Sequence, residues 1–135
     1  MHTEKDDQGL SRGLKQAFKL RGFWESLILS WKGIHYLFFY HRNMRIIFLA
    51  GLAAALAGIY LKLKGIELVI LCATITLVFM AEMFNTAIEI LMDILTVQYH
   101  VKIKLVKDIA AAVVLIACLN AIAVGYILFA KKLFP

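Results

Sequence analysis

Proline, cysteine and glycine are all scarce in this sequence, and each shortage excludes a class of structure. One proline and eight glycines in 135 residues leave few points at which a helix must break, so mostly continuous helix is expected. The two cysteines, Cys72 and Cys118, lie inside apolar runs without CxxC or Cys/His spacing. That pattern excludes a zinc site and a disulfide framework. We also expect no secretory signal, since charges occur throughout the first 45 residues.

Charged residues are few as well, at 18%, whereas hydrophobic residues make up 62% and the mean hydropathy is +0.81. Ordinary globular chains contain roughly 45–50% of a comparable apolar set. A fold of this size buries only about 60–70% of the surface that its unfolded chain exposes. A soluble enzyme and a disordered tail are therefore both excluded. The composition predicts an all-α integral membrane protein.

Hydrophobic periodicity divides the chain into a polar N-terminal segment, residues 1–21, and one membrane domain, residues 22–135. Apolar residues recur at helical spacing over about 22–42 and predict an amphipathic helix that lies on the membrane surface. Its apolar positions are Trp24, Leu27, Ile28, Trp31, Ile34 and Phe38. Three transmembrane helices are then predicted, at about 45–61, 66–96 and 109–130.

The basic residues predict how these spans are oriented. Eleven of the fifteen lysines and arginines lie at or before the start of the first span, or between the second and third spans. This bias predicts a cytoplasmic N-terminus and, in a bacterium, the inner membrane. The net charge of +6 could indicate a protein that binds nucleic acid. In a chain this apolar, we favour the interpretation that the lysines and arginines face anionic lipid.

Small residues at four-residue spacing mark the faces on which the spans approach one another. They are Ala54 and Gly58 in the first span, and Ala117, Ala121 and Gly125 in the third. Three spans make a thin bundle, so we expect an oligomer.

A polar stripe interrupts the second span within the segment AEMFNTAIEILMD, residues 81–93. Glu82 and Glu89 share a helix face because they are two helical turns apart, and three further polar residues fall close to that line. These are Asn85, Thr86 and Asp93. An ionisable residue at membrane depth is costly and is a functional candidate. The alternative is a polar clamp between helices, with Asn85 bonding a neighbouring span.

Depth indicates what the two glutamates can do. A hydrocarbon core of ~30 Å that begins near Ile66 ends about twenty residues later. Glu82 then lies ~6 Å inside the cytoplasmic boundary, at the level of a lipid headgroup hydroxyl, and Glu89 lies just outside it. Glu82 can take a proton from such a hydroxyl, and Glu89 can hold Mg²⁺ that carries a nucleotide.

The segment between the second and third spans supplies more polar groups. We interpret Lys102 and Lys104 as residues that obey the positive-inside rule. Lys107 and Asp108 are predicted at the N-terminus of the third span, a position that suits phosphate. No Walker A loop and no GxGxxG motif occurs, so a nucleotide site of the soluble kinase type is not expected.

Four features of the sequence carry a resemblance: AExxNTAIExxxD, His100, KDxAA at 107–111 and RNMRI at 42–46. Through them the sequence resembles the prokaryotic diacylglycerol kinase family, and within it the undecaprenol kinases. The resemblance extends over roughly residues 23–130. It implies a homotrimer of three-span chains with an amphipathic surface helix and active sites between subunits. It also implies Mg·ATP as the phosphoryl donor and a lipid alcohol as the acceptor.

The resemblance also implies a role for each matching residue. Glu82 matches the general base, Glu89 a metal-binding carboxylate, and Asn85 a polar partner near them, with Asp93 in support. The remaining assignments are Gln98, Tyr99 and His100 as a nucleotide-contacting loop, and Lys107 and Asp108 as phosphate and nucleotide contacts. On the surface helix, Ser30 and Trp31 are predicted to contact the lipid substrate.

Three positions depart from the family pattern. His41 stands where a second metal-binding glutamate is usual, Glu25 where undecaprenol-type members often carry lysine, and Ala112 where glycine is frequent. Mg²⁺ prefers oxygen ligands, whereas an imidazole also suits Mn²⁺. Undecaprenol is the preferred acceptor and diacylglycerol the alternative. A second alternative is a non-enzymatic or degenerate small membrane protein, with the glutamates in an ion path or an assembly clamp.

Overall fold

The computed structural model describes residues 22–95 and 101–134, and this part of the chain consists of four helices. They are α1 (Phe23–Tyr40), α2 (Arg42–Tyr60), α3 (Ile66–Leu95) and α4 (Val101–Leu133). Helices α2, α3 and α4 are each long and apolar enough to cross a membrane. The prediction of an all-α, multi-pass membrane protein is thereby confirmed.

Two compact units, residues 1–36 and 37–135, make up the chain, and the division falls within α1. The described part of the first unit is one helical stretch without a buried residue. Trp24 and Trp31 expose 75% and 69% of their surface, and the rings of Phe23 and Trp24 meet edge to face at 6.0 Å. Helix α1 lies where the sequence predicts the amphipathic helix, and its place on the membrane surface stays a prediction.

The connection between α2 and α3 is a tight turn. Lys62 and Gly65 adopt left-handed backbone angles, with φ of 57° and 55°. The backbone N–H of Leu63 donates to the carbonyl of Gly58 at 2.9 Å, which satisfies an otherwise free carbonyl at the end of the helix. The turn therefore reverses the chain within the five residues Leu61–Gly65, close to the predicted connection.

Helix α4 begins at Val101, so the prediction of a connecting loop up to Asp108 was wrong for residues 101–108. Lysine and leucine are good helix formers and no glycine or proline interrupts this segment. A bilayer needs about 20 residues, or ~30 Å, whereas α4 has 33 residues. Helix α4 is therefore longer than one crossing of the hydrocarbon core requires. The rest of the predicted connection, residues 97–100, lies outside the described residues.

Helix α3 is central in the second unit because it packs against both α2 and α4. The buried leucines Leu63, Leu71 and Leu128 form the core at the end of the bundle near the α2–α3 turn. At the same end, Lys132 Nζ lies 3.2 Å from a carboxylate oxygen of Glu67 and ties α4 to the start of α3. Elsewhere most large apolar side chains are exposed, as expected where lipid replaces water.

Gly58 marks the closest approach of α2 to this core. A Cβ atom at Gly58 would lie 2.6 Å from Leu71 Cδ2 and 3.3 Å from Leu63 Cδ1. At Gly125 in α4, by contrast, the nearest atom would be a ring carbon of Phe129 at 3.9 Å, an ordinary contact. The predicted small-residue face of α2 is therefore used for close packing at Gly58.

We expect Gly58→Val to destabilise the bundle by about 1–3 kcal/mol, because an isopropyl group must enter a packed core. Gly125→Val is the matched control, since it makes the same change in a membrane helix that has room for it. Thermal unfolding of both variants in detergent measures the difference. Equal melting temperatures would show that the leucine core repacks without cost.

Candidate active site

One face of α3 carries a cluster of polar side chains that are withdrawn from the surface. Glu82, Asn85 and Thr86 expose only 3%, 7% and 1% of their surface. Glu89 lies one helical turn after Asn85 and Thr86 and is half-buried, whereas Asp93 is exposed. Because carboxylates are almost never fully buried unless they are paired, the neighbours of Glu82 determine what this face can do.

The partner of Glu82 comes from the first turn of α2. The Asn43 side chain hydrogen-bonds the Glu82 side chain, and Glu89 and His41 lie close enough to act on Glu82 electrostatically. His41 has an extended backbone, with φ −114° and ψ 112°, at the point where α2 begins. Met44, 1% exposed, anchors the same turn. Sequence reasoning did not assign Asn43, and its only signal was the Arg-Asn pair in RNMRI.

Aromatic packing holds the start of α2 against α3 just below this hydrogen bond. The rings of Phe38 and Phe48 meet edge to face at 5.0 Å, and the rings of Phe48 and Phe79 do so at 6.1 Å. Phe79 lies one helical turn before Glu82 on α3. Edge-to-face pairs of this kind contribute about 0.5–1.5 kcal/mol beyond their burial. They fix the approach of the two helices on which the Asn43–Glu82 contact depends.

Helix α4 contributes Lys107, whose Nζ lies 2.8 Å from Asp93 Oδ1. Glu89 also acts electrostatically on Lys107, so an ammonium group stands beside both carboxylates. Lys107 and Asp108 are not at the N-terminus of the helix as predicted, because α4 begins six residues earlier. Any phosphate contact at this point therefore rests on the lysine side chain and not on free backbone N–H groups.

Asn85 has a buried oxygen with no partner. Among the described residues, its Oδ1 accepts no hydrogen bond, an arrangement that costs about 1–3 kcal/mol when it is left unsatisfied. Asn85 also lines an apolar groove of about 390 Å³ between α3 and α4, together with Ile88, Ile109 and Ala110. Among the described residues, the alternative interpretation of Asn85 as a clamp through this oxygen has no contact to support it. A polar contact between α2 and α3 is made by Asn43 and Glu82.

Five other predicted site residues fall outside the described part of the second unit. Gln98, Tyr99 and His100 lie outside the described residues. Ser30 and Trp31 belong to the first unit, where the Ser30 hydroxyl donates to the carbonyl of Ser26 at 2.8 Å.

The described residues contain no group of three or more histidine, cysteine, aspartate or glutamate side chains that could enclose a metal ion. Mg²⁺ in nucleotide sites is usually held by one or two carboxylates together with substrate phosphates. Glu89 is a carboxylate of this kind, and the His41 side chain also acts electrostatically on Glu82. The residues present therefore fit a metal that arrives with its nucleotide, not one enclosed by protein ligands alone.

The described bundle thus carries on α3 a buried carboxylate with an amide partner from α2 and, toward the end of the same helix, an aspartate paired with a lysine of α4. The profile of the prokaryotic diacylglycerol kinase family matches residues 28–129, and the chain belongs to that family.

Relatives of the chain carry two different names. It is 39% identical to a diacylglycerol kinase of Synechocystis sp. over 71% of its own length, an alignment that covers 55% of that relative. It is 30% identical to the undecaprenol kinase of Bacillus subtilis, over 85% of this chain and 94% of the relative. It is also 32% identical to the diacylglycerol kinase of Escherichia coli, over 73% of this chain and 81% of that protein.

The ion pair between Lys107 and Asp93 predicts a kinetic phenotype, given that a kinase family implies ATP as co-substrate. We expect Asp93→Asn to raise the KM for ATP severalfold with little change in kcat, since Lys107 loses the group that holds it. The loss of stability should stay within about 1 kcal/mol because both side chains are partly exposed.

Glu67→Gln is the matched control for Asp93→Asn, since it breaks the comparable ion pair with Lys132 at the other end of the bundle. Initial rates against ATP concentration measure both variants. If Glu67→Gln raises the KM for ATP as much as Asp93→Asn does, the effect comes from general loosening of the bundle.

Proposed function

We propose that this protein transfers the γ-phosphoryl group of ATP to the hydroxyl of undecaprenol, at the cytoplasmic face of the bacterial inner membrane. The observation that carries the proposal is Glu82, a carboxylate with 3% exposure that is hydrogen-bonded by Asn43. It lies sixteen residues into α3, or about 24 Å from the start of that helix. In a hydrocarbon core of ~30 Å, this depth is near the inner boundary, where lipid hydroxyl groups lie.

Glu82 is the general base of the proposed reaction. The acceptor hydroxyl gives its proton to the Glu82 carboxylate as its oxygen forms a bond to the γ-phosphorus. The bond from that phosphorus to the bridging oxygen of ADP breaks, and ADP leaves with the electron pair. Asn43 keeps the carboxylate oriented toward the hydroxyl, since a side chain held by a hydrogen bond loses rotational freedom before the reaction.

The charge of the triphosphate is balanced by groups at the water boundary. Lys107 offers a positive charge close to Glu89 and Asp93, and phosphoryl transfer depends mainly on such positioning and neutralisation. A bound Mg²⁺ would be held by Glu89, with His41 beside it, and would neutralise charge that develops on the phosphates. Asp108 and the segment Gln98–His100 are proposed to contact the nucleotide.

Undecaprenol is preferred as the acceptor for two reasons. The segment AEMFNTAIE and the Arg-Asn pair resemble the undecaprenol branch, and the alignment with the Bacillus subtilis undecaprenol kinase covers 94% of that relative. Diacylglycerol is the second candidate, because the identity to the Synechocystis diacylglycerol kinase is higher, at 39%. Purified protein with labelled ATP and both lipids in detergent decides between them. Phosphorylation of diacylglycerol alone would overturn the undecaprenol assignment.

Assembly and orientation complete the proposal. A homotrimer is supported by the exposed apolar faces of α2–α4. It is also supported by the Asn85 oxygen, which has no partner among the described residues and leaves a place for a group from another subunit. A cytoplasmic N-terminus follows from the lysine and arginine bias. Residues 22–135 act as one membrane kinase domain in this scheme.

The role of Glu82 predicts that Glu82→Gln abolishes phosphoryl transfer while the protein still assembles. The amide has the same shape and can keep a hydrogen bond to Asn43, but it takes up no proton. We expect activity to fall by at least ~100-fold, the lower end of what a general base contributes. Thr86→Ser, a conservative change at an equally buried neighbour, is the control. Full activity of Glu82→Gln would remove Glu82 from the mechanism.

The position of His41 near Glu82 predicts an unusual metal response. We expect His41→Glu to lower the Mg²⁺ concentration needed for half-maximal activity, because it adds an oxygen ligand and a negative charge. The same change should reduce any preference for Mn²⁺, which tolerates nitrogen ligands better. Kinase rates against each metal in the two proteins measure the shift. An unchanged Mg²⁺ requirement would show that position 41 does not reach the metal.

A further inference from the structure

A second cavity lies deeper in the bundle, between α2, α3 and α4. Its volume is about 240 Å³, and α3 contributes four of the residues that line it, namely Leu71, Thr74, Ile75 and Val78. Helix α2 contributes Ala50, Gly51 and Ala54, and α4 contributes Ala121 and its neighbours. No charged residue lines this groove. The Thr74 hydroxyl is already bonded to the carbonyl of Ile70 at 2.8 Å, so the walls present hydrocarbon.

The groove lies on the same face of α3 as the candidate active site. Val78 comes one helical turn before Glu82, and the lining residues continue toward Leu71 at three- and four-residue spacing, which keeps them in one line. On α2, Ala54 and Ala50 share a face with Asn43 for the same reason. The groove therefore begins one helical turn from the Asn43–Glu82 hydrogen bond, at Ile47 and Val78. From there it runs along both helices toward Leu71, over about 10 Å.

We infer that this groove holds the hydrocarbon chain of the lipid alcohol whose hydroxyl meets Glu82. The inference rests on the proposed function, because it needs an acceptor at Glu82. A lipid alcohol placed with its hydroxyl at that depth directs its chain toward the centre of the bilayer, where the groove lies. The walls of the groove are apolar, as the hydrocarbon chain is. Small residues on α2 and α4 leave the space in which the hydrocarbon chain fits. The site thereby selects an acceptor by its chain as well as by its hydroxyl.

Filling the groove tests the inference through chain length. Ala50→Leu and Ala121→Leu place bulk inside it. Ala53→Leu and Ala123→Leu are the matched controls on the same helices, since both residues are exposed and neither lines the groove. The acceptors are prenol, with one isoprene unit, and farnesol, with three. Prenol is too short to reach far beyond Glu82, whereas farnesol extends along the groove.

We expect the two groove variants to lower kcat/KM for farnesol roughly tenfold relative to prenol, which corresponds to about 1.4 kcal/mol. The two control variants should leave the farnesol-to-prenol ratio unchanged. An equal ratio in all four variants would overturn the groove as the site of the chain. A fall in both rates together in the groove variants would also count against it, because that result indicates damage to the reacting end.

Photolabelling gives a readout that does not depend on catalysis. A farnesol analogue with a diazirine on its last isoprene unit should label peptides around Ala54 and Leu71, equally in the wild type and in Glu82→Gln. Unlabelled farnesol should compete, and bilayer phospholipid should not. Labelling spread over the outward faces, or competition by phospholipid, would overturn the inference. If the wild type phosphorylates neither undecaprenol nor these two alcohols but the groove is labelled, the proposed function fails and the binding site stands.

Discussion

The burial of one carboxylate in a membrane helix is the constraint on which the rest of the site depends. An unpaired Glu82 at this depth would cost several kcal/mol, so a donor must be brought to it from another helix. Asn43 is that donor, and it can serve only if α2 begins at the right height beside α3. The break at His41, the buried Met44 and the edge-to-face phenylalanine rings all set that height.

Hydrophobic burial does not drive the helices together in lipid, because lipid chains are as apolar as leucine. Close packing at small residues and a few polar contacts must therefore hold the bundle. Gly58 admits Leu71 and Leu63 at one end, and the Glu67–Lys132 pair is at the same end. At the other end the Asn43–Glu82 hydrogen bond and the Lys107–Asp93 pair connect α3 to its two neighbours.

Much of this arrangement could be predicted from the sequence, because helix period and hydropathy are local properties. The three spans and the polar face of α3 follow from them, and so does the small-residue contact at Gly58. The sequence did not show whether the first two turns of α4 are helix or loop. The positive-inside rule places lysines in this segment equally well in either conformation. The Asn43–Glu82 contact joins residues far apart in sequence, and no local pattern determines which donor reaches a buried carboxylate.

Small residues produce close packing at one place in this bundle and an open groove at another, depending on which side chains face them. Gly58 faces branched leucine side chains, which fill the space that it leaves and form a closed core. Ala50 and Ala121 both border the groove, where the facing side chains leave about 240 Å³ open. Because polar contacts tie the helices near Glu82 and close packing ties them near Gly58, the gap between these points cannot close by moving one helix as a rigid rod. The fold thus keeps a hydrocarbon-lined opening next to the carboxylate that α3 buries.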